Sequence, residues 1–63
     1  MRLRQVRNEK NKTQQETADY LGIQIRSYQF YEQGKTEPNI QKLIALADFF
    51  QVTLDYLMGR TDA

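Results

Sequence analysis

Residues 13–34 read TQQETADYLGIQIRSYQFYEQG and are the most informative segment of the chain. It contains two short helical patterns that meet at a single glycine, Gly22. Thr13 and Glu16 have the spacing of a capping box, in which the hydroxyl and the carboxylate each accept a hydrogen bond from the other residue's amide. The first pattern therefore predicts a helix from Gln14 to about Leu21, and Gly22 supplies the positive φ of a tight turn.

The second pattern predicts a helix from Gln24 or Ile25 to Gln33, which Gly34 ends. Tyr28 and Tyr31 lie at i, i+3 on one side of it, opposite more polar residues. This spacing favours packing of both rings in the core over a stacking platform for single-stranded nucleic acid. Two short helices joined by a tight turn are typical of a helix-turn-helix, whose second helix enters the major groove of DNA.

Three further helices are predicted outside this stretch. A run of helix formers from Met1 to about Lys10 carries Leu3 and Val6 at i, i+3, and Asn11 can take the left-handed conformation that ends a helix. Asn39 and Thr53 can each cap a following helix. The helix after Asn39 has its apolar residues at amphipathic spacing, namely Ile40, Leu43, Ile44, Ala47 and Phe50. The prediction is an all-α fold of five short helices.

The length of 63 residues predicts one small domain, at residues 1–59, followed by a tail at residues 60–63. The chain has no cysteine, which excludes disulfides and thiolate metal sites. No apolar run approaches the roughly 18 residues that cross a bilayer, and the basic N-terminus lacks the apolar stretch of a signal peptide. We therefore expect a cytoplasmic protein with no membrane association.

The net charge of +1 is unevenly distributed along the chain. Residues 1–35 carry seven basic and four acidic side chains, a balance of +3, whereas residues 36–63 have a balance of −2. Such asymmetry indicates either that one part of the domain faces a polyanion or that it is a solvated basic surface.

The chain resembles the Cro/C1-type repressors of phages, the XRE family, over residues 1–59. The matching segments are TQQE at 13–16, LGI at 21–23, YEQGK at 31–35, EPNI at 37–40 and DYLMG at 55–59. The resemblance implies a compact, lambda-repressor-like domain that binds specific sequences in double-stranded DNA. It further implies a transcriptional regulator, more often a repressor than an activator, that reads a palindromic operator. Gln24 departs from the family pattern, since a Ser or Thr usually caps the second helix of the motif.

Base contacts are implied at five positions of that helix, namely Gln24, Ile25, Arg26, Gln29 and Phe30. The Arg26 fork matches O6 and N7 of guanine, although it could instead contact a phosphate. Gln29 could pair with N6 and N7 of adenine or with a phosphate. Ile25 and Phe30 suit thymine methyl groups, and Phe30 could alternatively pack against the following loop.

Phosphate contacts are expected at both ends of the motif. The start of the first motif helix offers free amides and a positive dipole end, to which Gln14 adds a side-chain amide. Gln33, Lys35 and Thr36 follow the recognition helix and are expected to reach the backbone on the other side. The alternatives are that Gln14 is an exposed glutamine with little role and that Lys35 is merely solvated.

The resemblance also implies an ion pair between Arg7 and Glu32 that fixes the first helix against the recognition helix. Its role would be structural. If the pair is deeply buried, removal of one partner costs about 3–5 kcal/mol. A surface pair would contribute less than about 1 kcal/mol.

An enzymatic function is the weakest interpretation. The chain has no histidine or cysteine and only one serine, so no nucleophile–base arrangement exists, and no metal or cofactor is expected. The main alternative to DNA binding is an antitoxin-like module that binds another protein. Apolar residues near the C-terminal end are assigned first to a homodimer contact, with the monomer core as the alternative; they are Phe49, Val52, Tyr56, Leu57 and Met58.

Overall fold

The computed structural model describes residues 1–61. Within this range the chain forms five helices and no strand, which confirms the all-α prediction. The helices are α1 (Leu3–Glu9), α2 (Gln14–Leu21), α3 (Ile25–Gln33), α4 (Ile40–Phe50) and α5 (Leu54–Met58). None of these helices has both the length and the apolarity that a bilayer crossing requires.

The predicted tail at residues 60–63 falls partly outside the described residues, because the last two positions are not among them. Its first two residues are held against the domain. The Arg60 amide donates to the Asp55 carbonyl at 2.9 Å, and the Thr61 carbonyl accepts from the Arg2 guanidinium at 2.6 Å. Residues 60 and 61 therefore continue the hydrogen bonding of α5 and α1.

Side chains cap the start of three helices. The Thr13 hydroxyl accepts from the Glu16 amide at 3.0 Å, and the Glu16 carboxylate accepts from the Thr13 amide at 2.9 Å, so the capping box is formed. Asn39 caps α4 and Thr53 caps α5, because each side chain accepts a hydrogen bond from the backbone amide three residues later. Gln24 precedes α3 in the extended conformation of an N-cap, yet its side chain makes no capping bond.

The core is formed by one contiguous group of side chains from all five helices. Its largest fully buried members are Tyr28, Phe50, Leu46 and Leu57. Thr17, also fully buried, donates its hydroxyl to the Thr13 carbonyl at 2.9 Å, which satisfies its polar atom within α2. Because α2 packs against both α3 and α4, the core holds the two motif helices in a fixed relation.

The core-facing side of α4 differs from the amphipathic pattern predicted for it. Ile40 and Ile44 have 59% and 49% of their surface exposed, whereas Leu46 is fully buried together with Phe50. The apolar surface of α4 is wider than the part of the helix that its neighbours cover. The spacing of apolar residues therefore does not identify which side of α4 is buried. The amphipathic spacing predicted for α4 therefore does not mark its buried side at Ile40 and Ile44.

Candidate nucleic-acid interface

The connection between α2 and α3 is a tight, hydrogen-bonded turn. Gly22 has φ of 70°, and the amide of Ile23 donates back to the Ala18 carbonyl at 3.1 Å. Ile23 packs against the core from the turn, and Gln24 is extended with ψ of 150°. This turn requires a residue that tolerates positive φ at position 22. It also changes the direction of the chain between α2 and α3. The two helices thus form a helix-turn-helix unit.

Arg26 lies on the outer side of α3, close to its start. Its side chain is exposed, and its guanidinium carbon lies 6.0 Å from the centre of the Phe30 ring. Within residues 1–61 its guanidinium has no hydrogen-bonding or ion-pair partner. Gln24, immediately before the helix, is also exposed. The donors of Arg26 are therefore available to an external acceptor.

The two apolar positions of the predicted base-reading set are only partly exposed. Ile25 packs against the core cluster, so part of its side chain belongs to the fold. Phe30 is half-buried beside the segment after α3, whose Lys35 ammonium lies 5.3 Å from the ring centre. The Lys35 amide also donates to the Phe30 carbonyl at 3.0 Å. The structure thus includes the packing against the following loop that was the alternative for Phe30.

Gln14 and Gln29 meet across the motif. The amide nitrogen of Gln29 donates to Oε1 of Gln14 at 3.1 Å, and both side chains are half-buried. The amide nitrogen of Gln14 in turn donates to Oε1 of Glu32 at 3.1 Å. Gln14 therefore has definite partners inside the domain, in contrast to the alternative in which it is an exposed glutamine with little role.

Glu32 is the centre of a buried polar cluster. Only 1% of its side chain is exposed, against 12% for Arg7, whose Nε donates to Oε2 of Glu32 at 2.6 Å. The hydroxyl of Tyr28 donates to the same oxygen at 2.6 Å. Arg7 also donates to the Lys12 carbonyl at 2.9 Å, which ties the α1–α2 loop to the pair. The ion pair implied by the resemblance is present. Because the pair is buried, removal of one partner should lower the free energy of unfolding by the larger of the two amounts considered above.

Burial and hydrogen bonding act in opposite directions on Glu32. Burial raises the pKa of the carboxyl, but donation from Arg7, Tyr28 and Gln14 outweighs it, so the pKa of Glu32 lies below its ordinary value of 4.5. The hydrogen bond to Glu32 is the main cause of the raised pKa of Arg7. Burial raises the pKa of the Tyr28 hydroxyl, which therefore remains a donor. At neutral pH Glu32 and Arg7 are therefore charged, and the Tyr28 hydroxyl is a neutral hydrogen-bond donor.

The other predicted phosphate-binding residues lie at the C-terminal end of α3 and just beyond it. Gln33 is the last residue of the helix, and Lys35 and Thr36 follow Gly34, which has φ of 76°. All three side chains are exposed. Gln14 therefore lies beside the middle and last turn of α3, through its bonds to Gln29 and Glu32, and Lys35 lies just beyond the same helix.

A helix-turn-helix family model matches residues 3–57. The chain belongs to the XRE-type helix-turn-helix family. It is 46% identical over 59 residues to the HTH-type transcriptional regulator AnsR of Bacillus subtilis, covering 94% of this chain and 51% of that protein. It is 41% identical over 59 residues to the cryptic phage CTXphi transcriptional repressor RstR of Vibrio cholerae, covering 94% and 53%.

Similarity extends to a solved structure and to a protein named as an activator. A transcriptional regulator from Listeria innocua superposes with a TM-score of 0.83 at 34% identity, over 94% of this chain and 55% of that one. The transcriptional activator BcrR of Enterococcus faecalis is 37% identical over 58 residues, which are 92% of this chain and 28% of BcrR. The chain spans about half the length of AnsR, RstR and the Listeria protein.

The residues expected at a dimer contact of the XRE-type domain are mostly engaged within the monomer. Phe49 packs against Tyr20 with ring centres 4.6 Å apart, and Tyr56 donates its hydroxyl to Glu9 at 3.0 Å. Val52 is half-buried and Met58 is 38% exposed. Leu57 is fully buried, because α5 turns it into the core, so we assign it to the core and not to a partner contact.

Sequence reasoning missed several groups around the site. The Tyr28 ring lies in the core, as its spacing predicts, but its hydroxyl also donates to Glu32. The i, i+4 spacing of Tyr28 and Glu32 is the sequence signal for this bond. Arg4, whose Nε lies 3.5 Å from Oε1 of Glu32, shares one side of α1 with Arg7. The bond between Gln14 and Gln29 joins two helices and has no local signal.

Proposed function

We propose that this XRE-type domain binds specific sequences in double-stranded DNA, with α3 in the major groove, and regulates transcription. The observation that carries the proposal is the exposed guanidinium of Arg26, which lies on the outer side of the second helix of a helix-turn-helix and has no hydrogen-bonding or ion-pair partner within residues 1–61. The names of AnsR and RstR support the regulatory role. A protein of this kind acts in the cytoplasm, on chromosomal or phage DNA, and is not an enzyme.

Base reading is proposed for the five positions at the start and middle of α3. Arg26 pairs with O6 and N7 of guanine, because both its fork and its exposure suit a bidentate contact. Gln29 and the exposed Gln24 offer amides to base edges, and the partly exposed faces of Ile25 and Phe30 meet thymine methyl groups. The remaining surfaces of Ile25 and Phe30 hold α3 in place.

Phosphate contacts on either side would set the register of α3 in the groove. Gln14 has one amide hydrogen left after donating to Glu32, at the start of the eight-residue helix α2. Gln33, Lys35 and Thr36 offer exposed donors at and just after the C-terminal end of α3. Such contacts add affinity on every sequence and make binding weaker as salt rises.

We further propose a homodimer on a palindromic operator, and repression as the regulatory outcome. A pair of recognition helices reads half-sites about one helical turn, or roughly 34 Å, apart. Exposed Met58 and the free surface of Val52 support a contact near the C-terminal end of the domain. Repression is supported by the similarity to RstR, a protein named as a repressor. Sedimentation with and without operator tests the dimer, and one monomer on a full operator would contradict it.

Selection from randomised DNA duplexes at physiological salt tests the proposed function. We expect an enriched sequence with two inverted half-sites, and an affinity that falls steeply between 50 and 200 mM salt, by roughly 10³-fold or more if six or more phosphates are contacted. A protein that enriches no duplex, and whose weak binding is independent of sequence, would contradict the proposal. The antitoxin-like interaction module would then be the better interpretation.

A further inference from the structure

A chain of hydrogen bonds leads from the buried carboxylate of Glu32 to the proposed DNA-binding side of α3. Glu32 accepts from the amide of Gln14, and Gln14 accepts from the amide of Gln29, with both bonds at 3.1 Å. The inner end is 1% exposed and the outer end is half-buried beside exposed residues of α3. One intervening side chain therefore connects a fixed charge to a proposed base-reading amide.

In this chain, the hydrogen-bonding group of each residue determines which atom of the next residue faces it. An ionised carboxylate accepts hydrogen bonds but cannot donate, so Gln14 has to turn its NH₂ group toward Glu32. The carbonyl oxygen of Gln14 is then the atom that faces Gln29, and an oxygen accepts only from the NH₂ group of Gln29. In this way a carboxylate on the inside selects one of the two orientations of an amide on the outside.

The inner end of this chain is itself fixed. Oε2 of Glu32 accepts from Nε of Arg7 and from the hydroxyl of Tyr28, each at 2.6 Å. Oε1 is thereby directed toward Gln14, with the Nη2 of Arg7 at 3.4 Å. The two short bonds on Oε2 oppose rotation of the carboxylate away from Gln14.

We propose that Glu32, acting through Gln14, fixes the orientation of the Gln29 amide and thereby makes adenine the base that Gln29 reads. After donating to Gln14, Gln29 keeps one N–H and its carbonyl oxygen, a donor and an acceptor side by side. Adenine offers the complementary pair in the major groove, the acceptor N7 and the N6 amino group. Guanine offers two acceptors, O6 and N7, and the fixed carbonyl oxygen opposes one of them.

This inference rests on the proposed function, since Gln29 has to reach a base edge for its orientation to matter. Glu32 and Gln14 act as positioning residues, because neither touches a base in this scheme. The readout that separates positioning from a structural role is selectivity at one base position. A loss of folding or of phosphate contacts would lower binding to all sequences alike.

Randomised-duplex selection with the wild-type protein and with Gln29→Ala identifies the position that Gln29 reads, as the one where the preference disappears. We expect the wild-type protein to select adenine there. The deciding variant is Gln14→Met, which has a side chain of similar length without an amide. Gln14 lies outside the buried core, so this variant keeps the fold.

In Gln14→Met we expect the preference for adenine at that position to fall about tenfold, while preferences at the other positions remain. A moderate loss of affinity on all sequences accompanies it, because the proposed phosphate donor is also removed. The matched control is Gln15→Met, whose exposed amide donates to Asp19 within the same helix at 2.8 Å. This control should retain the wild-type preference at every position.

Glu32→Gln tests the inner end of the chain, with circular dichroism as the check on folding. An amide at position 32 can donate as well as accept, so Gln14 and then Gln29 are free to turn over. We expect loss of the adenine preference at the same position. If this variant does not fold, Gln14→Met decides the question alone.

The outcomes separate this inference from the function on which it rests. Adenine preference retained in Gln14→Met, or in a folded Glu32→Gln protein, overturns the inference while sequence-specific DNA binding stands. The inference is also overturned if the wild-type protein selects a base other than adenine at the base pair that Gln29 reads. It is likewise overturned if Gln29→Ala loses no preference at any base pair. Enrichment of no sequence at all by the wild-type protein defeats the proposed function itself.

Discussion

Polar side chains in this domain serve either binding or stability. Which of the two a side chain serves depends on whether its polar groups already have hydrogen-bonding partners within the domain. Arg26 is exposed and has no hydrogen-bonding or ion-pair partner within the described chain, whereas Glu32, with 1% of its side chain exposed, accepts several hydrogen bonds. A change at Arg26 should therefore alter what the protein binds. A change at the Glu32 cluster should alter how firmly the protein folds.

Arg26→Ala should relax the preference at one base position by roughly tenfold or more, because a bidentate contact to guanine contributes about 1–3 kcal/mol of discrimination. Binding to non-specific DNA should remain largely intact. Fluorescence anisotropy with operators altered one base pair at a time measures this. Arg60→Ala, which removes another exposed arginine, serves as the control. Equal weakening on every sequence would reassign Arg26 to a phosphate contact.

Tyr28→Phe should lower the free energy of unfolding by about 1.5–3 kcal/mol, because it removes a hydrogen bond to a charged acceptor and leaves the buried ring in place. Urea denaturation followed by circular dichroism gives the value. Tyr31→Phe is the matched control, since Tyr31 is half-buried on the same helix and only its ring contacts Tyr28, edge-on. If both variants lose the same stability, the hydroxyl of Tyr28 has no special role.

At the scale of the helices, α3 differs from its neighbours in how it begins. α2, α4 and α5 each start with a side chain that accepts a backbone amide, whereas Gln24 leaves the first amides of α3 without a side-chain acceptor. A glutamine is too long to fold back onto the amide of the third residue in the way that serine does. The recognition helix is therefore the least well capped of these four, at the end nearest to the proposed base contacts.

Gln24→Ser should stabilise the domain by about 1 kcal/mol, because the backbone at position 24 already has the N-cap conformation, with φ of −72° and ψ of 150°. For a domain of this size the melting temperature should rise by about 4–8 °C. Thermal unfolding measures the change. Thr13→Ala, which removes an existing cap, should shift the melting temperature in the opposite direction. No gain from Gln24→Ser would mean that the amides at the start of α3 are satisfied otherwise.

At the scale of the whole molecule, α1 connects the recognition helix to the C-terminal end of the domain. Arg7 of α1 binds Glu32 of α3, and the Arg2 amide donates to the Leu57 carbonyl of α5 at 2.8 Å. Small domains bury a modest fraction of their surface, so such links between sequence-distant elements form a large share of the stability. Ionisation of the Glu32 cluster should accordingly be visible in the stability of the whole fold.

Stability should fall as the pH is lowered below about 4.5. The folded-state pKa of Glu32 lies below its ordinary value of 4.5, so its stabilising contribution is fully present above that pH and is lost as the pH falls through the folded pKa. The pKa of Glu16 is also lowered, mainly by the backbone and side-chain hydrogen bonds of Thr13, and acts in the same direction. Denaturation curves from pH 7 to pH 3 test this.

The matched variant for the pH experiment is Glu32→Gln, which cannot titrate at position 32. It should be less stable at pH 7, because Arg7 loses its buried counter-charge, and its stability should depend less on pH between 5 and 3. A wild-type curve and a Glu32→Gln curve that run parallel over this range would show that Glu32 does not control the acid sensitivity.

The helix boundaries and the turn were predictable because they follow from local chemistry. The capping box at Thr13, the positive φ at Gly22 and Asn11 and the caps at Asn39 and Thr53 each depend on residues within one turn of the chain. The buried side of α4 was not predictable, because periodicity offered more apolar surface than the neighbours cover, and Ile40 and Ile44 remain exposed. The local sequence pattern predicts where a helix begins and ends. It does not predict which side of the helix the neighbouring helices cover.

The same division holds for the candidate site. The helix-turn-helix and the outward position of Arg26 were predictable from the amino-acid order, since capping, turn geometry and the 3.6-residue period are properties of short segments. The hydrogen-bonded chain of Gln29, Gln14 and Glu32 and the assignment of Leu57 to the core follow instead from the packing of the helices. Side chains 15 and 18 residues apart have no preferred distance in an open chain, and they meet only when packing has fixed the helices that carry them.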